Sequence, residues 1–120
     1  MTQKNWSKTM IMNWHMNALP ECTCPQQRIK SHREAREYYF AKRHGDKKAM
    51  LEEMADFYIV NIVLHMRYHD EAAKFVCERI ESFKSFPRIL QAVNEKMDIT
   101  ATRTFVWKNG EWRHDENFDS

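Results

Sequence analysis

Apolar and polar positions follow a helical period through most of this chain. From Pro25 to His44 the apolar contacts fall at Ile29, Tyr38, Tyr39, Phe40 and Ala41, while Arg28, Lys30, Arg33, Arg36, Lys42 and Arg43 supply a wet face. The pattern predicts a helix starting just after Pro25 and running to His44. Gly45 suits the left-handed residue that closes a helix, and Asp46 suits the N-cap of the next. A second helix is expected from Asp46 to about His69, with a middle, FYIVNIVL at 57–64, that is apolar on nearly every side. Such a segment must be buried from several directions, which in so short a chain predicts a subunit interface as well as an internal one. Asp70-Glu71 opens a third helix, with Ala72, Phe75, Val76, Ile80 and Phe83 as core positions, ending before Pro87. A fourth carries Pro87 in its first turn and turns Ile89, Leu90, Val93 and Met97 inward.

Both ends break this period. Trp6, Met10, Ile11, Met12, Trp14 and Met16 are too apolar for a free tail, yet their spacing fits neither helix nor strand. Residues 1–25 are therefore expected as an irregular arm packed on the core or on a partner. The closing stretch TRTFVWKNGEWRH alternates and contains Asn109-Gly110, a strong hairpin signal, which predicts strands at roughly 102–108 and 111–114. The polar end beyond Asp115 is expected to fray. The fold class that follows is all-α, a four-helix bundle with a small C-terminal β-hairpin, in one domain spanning 1–120.

Composition narrows the classes. Two glycines, three prolines and 42% hydrophobic residues in 120 suit helices with few tight turns. A net charge of +2 is too small to imply nucleic-acid binding by itself. Three cysteines cannot all pair within the chain, and no apolar signal segment stands at the start, so a reducing cytoplasm is expected. FYIVNIVLHM is too short to span a bilayer. Cys22 and Cys24 lack the spacing of a structural zinc site and read as loop cysteines.

The chemistry lies beside the Gly45 turn. Glu34 and Glu37 precede it; Glu53 and Asp56 follow. Residues three apart share a helix face, and a short connection makes the two helices antiparallel, so the pairs meet. Isolated pairs of this kind are common in a chain with 17 acidic residues. These differ because the Glu53–Asp56 face continues to Val60 and Leu64, which should be buried. Four carboxylates converging without a basic partner repel unless a divalent cation joins them, and oxygen-only ligands suit Mg²⁺ or Mn²⁺ better than Zn²⁺.

Glu34-Ala-Arg-Glu37, Gly45-Asp46 and Glu53-Met-Ala-Asp56 together resemble the MazG-like, all-α nucleoside triphosphate pyrophosphohydrolases. Lys96 and Arg103, followed by Trp107 and His114, look like a phage and bacterial subgroup acting on dATP and dGTP, although Thr100 stands where that subgroup usually has Asn. The resemblance covers roughly residues 17–114. It implies hydrolysis of (deoxy)nucleoside triphosphates, purine ones (dGTP and dATP) by preference, to monophosphate and pyrophosphate. It further implies Mg²⁺ held by Glu34, Glu37, Glu53 and Asp56, a water activated by Glu34 or Glu37, and β- and γ-phosphates held by Lys96 and Arg103. A homodimer or homotetramer is implied, in the cytoplasm (the host's, if phage-encoded), with no stable nucleic-acid binding and no membrane. Candidates for base or sugar contact are His32, Asn61 and Trp14, then His15 and Tyr58. Competing readings are a dUTP- or dCTP-directed or house-cleaning enzyme of the same fold, and a non-catalytic helical module for nucleic acid or a partner.

Overall fold

The computed structural model describes residues 5–108 and 111–114, without the side chains of Glu111 and His114. Five helices, α1 (Lys8–Ala18), α2 (Cys24–Arg43), α3 (Lys47–Tyr68), α4 (Glu71–Glu81) and α5 (Phe86–Thr100), precede strands β1 (Phe105–Lys108) and β2 (Glu111–His114). The bounds come from local chemistry. Thr23 and Gln26 form a capping box on α2, Asp46 Oδ1 accepts from the Ala49 N–H at 3.0 Å to start α3, and Asp70 does the same for α4 through Ala73. Gly45 closes α2 at φ +69°, and a Cβ there would meet open space, so only the backbone conformation demands glycine. His69 ends α3 in the same left-handed conformation.

The hydrophobic interior is built around α3. Ala55, Tyr58, Ile62 and Val63 pack with Ile11 of α1, with Cys77 and Ile80 of α4, and with Ile89, Val93 and Met97 of α5. On another side Val60 and Leu64 meet Ala73, with Cys24 against them. Each fully buried aliphatic side chain contributes about 1.5–3 kcal/mol. Within the apolar run at 57–64 the single chain buries Tyr58, Val60, Asn61, Ile62, Val63 and Leu64 and leaves Phe57 and Ile59 half-buried. No helix among the described residues is long and apolar enough to cross a membrane.

Part of the N-terminal arm is regular: residues 8–18 form α1, a fifth helix. Ser7 caps it by accepting from the Met10 N–H at 3.1 Å. Its buried stripe runs Ile11, His15, then Leu19 just past its end. The period escapes notice because one of its core positions is a histidine. Burial, and then the Arg67 charge, push the His15 pKa down to about 3, so the imidazole is neutral. Arg67 donates to His15 Nδ1, Leu19 O and Pro20 O, each at 2.8 Å, and the Tyr68 hydroxyl donates to the Cys22 carbonyl. These bonds tie the α1–α2 link to the end of α3. Arg67→Met is expected to lower stability by about 3 kcal/mol, since hydrogen bonds from a charged donor contribute roughly 1.5–3 kcal/mol each and do not add fully. Urea unfolding measures this; a loss below about 1 kcal/mol would contradict it.

Several positions expected in the core are exposed. Ile29, Tyr39 and Phe40 on α2, Ala72, Phe75 and Phe83 on or after α4, and Leu90 on α5 stand at the surface. Their helices pack chiefly against α3, so apolar residues flanking the contact line find no second layer. The hairpin forms with Trp107 opposite Trp112. Its first strand is shorter than expected, because Thr102 and Arg103 extend the end of α5 by bonding back to Ile99 and Thr100. Trp112 Nε1 donates to Gln26 Oε1 at 3.3 Å, and Phe105 meets the Trp14 ring edge-on, which seats the hairpin on α1 and α2. The Asn109-Gly110 turn and the end beyond Asp115 lie outside the described residues.

Candidate metal centre

Antiparallel packing of α2 on α3 brings three of the four expected acids together. Glu34, Glu37 and Glu53 each offer one carboxylate oxygen, all within 4.8 Å of one another. Glu34 and Glu53 are half-buried and Glu37 is exposed, and the buried Oε2 atoms of Glu34 and Glu53 have no hydrogen-bond partner. Two unit charges at such a separation repel by about 3–4 kcal/mol at an effective dielectric of 20. Burial, then the charges of Asp56 and Glu37, push the Glu34 carboxyl up to about 8. Burial, then the neighbouring Glu37 and Asp56 carboxylates, push Glu53 up to about 7. Protons therefore relieve a repulsion that the fold itself creates.

Asp56 departs from the expected arrangement. It is not part of the converging trio; its Oδ2 pairs with Lys96 Nζ at 3.2 Å. The expectation of a cluster without a basic partner is thus corrected: α5 packs along α3 and delivers Lys96 to the adjacent carboxylate. Burial raises the Asp56 pKa, with Lys96 and Lys30 opposing the shift. Arg103 is exposed just after α5 and makes no ion pair among the described residues. The side chain of His114 lies outside them.

The candidates for base contact are not gathered at the acids. Asn61 is buried and donates to Phe57 O at 2.8 Å and to Ser31 Oγ at 3.3 Å, so its amide bonds to its own fold. His32 is exposed and shares with Asn61 a cleft of about 220 Å³ that contains none of the four carboxylates. Trp14 packs against Phe105 and His15, His15 is buried beneath Arg67, and Tyr58 donates to Glu81 at 2.7 Å.

A larger cleft, about 650 Å³, opens from Glu37 and Glu53 toward the Gly45 turn. Arg33, Arg36, Phe40 and His44 line its α2 wall. The sequence pattern places Arg33 and Arg36 on a solvated face, Phe40 in the core and His44 at the turn. Their signal was present, since positions 33, 36, 40 and 44 recur at helical spacing beside Glu37. Lys30 was missed too; it sits four residues before Glu34 and its charge acts on both Glu34 and Asp56.

Oxygen-only donors with two buried, unpartnered oxygens fit a hard divalent cation such as Mg²⁺ or Mn²⁺. Comparison of the chain with protein-family models, curated proteins and solved structures finds no match.

Proposed function

We propose that this protein is a divalent-metal-dependent pyrophosphohydrolase of (deoxy)nucleoside triphosphates, with purine substrates preferred. The observation that carries this reading is the convergence of Glu34, Glu37 and Glu53 with buried oxygens that lack partners. The resemblance of their spacing to that of the MazG-like enzymes supports it.

Glu34, Glu37 and Glu53 would hold Mg²⁺, or Mn²⁺ in its place, with Asp56 beside them. When bound, the cation neutralises phosphate charge and acidifies water. We assign Glu34 to take the water proton because one of its carboxylate oxygens is buried in the trio without a hydrogen-bond partner and so can accept. Water oxygen attacks the α-phosphorus, the bond from that phosphorus to the α–β bridging oxygen breaks, and pyrophosphate leaves with the electron pair. The water proton passes to Glu34. Lys96 and Arg103 are assigned to the β- and γ-phosphate oxygens. Tyr39 and Phe75, 61% and 69% exposed, line an apolar groove between α2 and α4 that is the surface we assign to association of copies into a dimer or tetramer.

The test is incubation with each common ribo- and deoxyribonucleoside triphosphate and Mg²⁺, followed by separation of products. Monophosphate and pyrophosphate are expected, from purine substrates above all, and Glu53→Gln should abolish them. A folded protein that turns over no triphosphate with metal supplied would overturn the proposal.

A further inference from the structure

We infer that the cleft between α2 and α3 seats the nucleoside end of the substrate, with the exposed Phe40–His44 pair as its stacking platform. The inference rests on the pyrophosphohydrolase reading and replaces His32, Asn61 and Trp14 as the base contacts. Three observations lead to it. The cleft shares Glu37 and Glu53 with the carboxylate trio, so a phosphate chain at the acids continues into it. A second cleft, beside Lys30 and Trp112, has only about 30 Å³, too little for a nucleoside. The Phe40 ring is 64% exposed and is packed at 4.4 Å, tilted 52°, against His44, which leaves aromatic surface open at the end of α2.

Distances along the helix fit a mononucleotide. At 1.5 Å per residue, Phe40 and His44 lie about 4.5 Å and about 10.5 Å beyond Glu37. That range brackets the span of one ribose between an α-phosphorus and its base. Arg36, exposed at the same wall, offers a guanidinium for a phosphate oxygen or for stacking on the base. Stacking on the exposed Phe40 ring favours the larger π-face, so preference for purines follows from stacking, without donors that read the base edge.

The experiment measures binding of α,β-methylene dATP, α,β-methylene dCTP and inorganic tripolyphosphate by calorimetry with Mn²⁺ present. It compares the wild type with Phe40→Ala and Phe40→Trp, both at an exposed position where folding is not at stake. Phe40→Ala should weaken dATP-analogue binding by roughly 5- to 100-fold, the dCTP analogue less, and tripolyphosphate not at all; Phe40→Trp should restore affinity. Unchanged nucleotide binding in Phe40→Ala, or an equal loss for tripolyphosphate, overturns the platform while leaving the hydrolase reading intact. A wild type that binds neither nucleotide nor tripolyphosphate overturns both.

Discussion

Glu34→Gln is expected to lower turnover by about two to four orders of magnitude while leaving the metal-free fold at least as stable as the wild type. The two halves of this result have one cause. Glu34 carries a buried oxygen without a partner and lies beside Asp56 and Glu37, so in the absence of a cation its charge is a liability to the fold. A glutamine keeps the shape and removes that charge. It also removes a cation ligand and the group assigned to receive the water proton. A residue present only for structure would behave differently, losing stability and activity together. Thermal unfolding in EDTA, set beside initial rates in Mg²⁺, separates the cases; a mutant that is clearly less stable in EDTA and proportionately less active would contradict the assignment.

Added Mn²⁺ is expected to raise the melting temperature, and to raise it more at pH 8.5 than at pH 6. Glu34 and Glu53 have folded pKa values pushed up to about 8 and about 7, above the ordinary carboxylate value that an unfolded chain restores. Their contribution to metal-free stability is therefore complete below about pH 4.5 and is lost as pH rises through 7 and 8. A cation competes with those bound protons, so it binds better and stabilises more where they have left. At a cation concentration one hundred times Kd the gain is about 2.7 kcal/mol, or on the order of 10 °C for a chain of this size. His15, which also has a shifted pKa, is not one of the cation's ligands, and its own contribution is present with and without metal. Scanning calorimetry at both pH values decides; a shift that is absent, or that shrinks with pH, would count against a cation site at the trio.

The helices α2 to α5 could be read from residues because their signals are local. Gly45 and Asp46 mark the turn, Asp70 caps α4, and Pro87 sits in the first turn of α5. Convergence of Glu34, Glu37 and Glu53 followed from helix period and a short connection alone. What could not be read depends on tertiary partners. The Asp56–Lys96 pair needs α5 to dock along α3, and nothing near either residue announces that. Helix α1 was hidden because its buried stripe includes His15, a polar side chain held neutral by its surroundings. Tyr39 and Phe75 look like core in a helical period and are surface only because no layer covers them within the chain.

The central claim is that this carboxylate trio serves attack of water on the α-phosphorus. Turnover of dATP or dGTP in ¹⁸O-enriched water, with products resolved by mass spectrometry, tests it most directly. The account predicts one ¹⁸O in the nucleoside monophosphate and none in pyrophosphate, with the reaction lost in Glu34→Gln. Label in pyrophosphate, or release of orthophosphate in place of pyrophosphate, would contradict it.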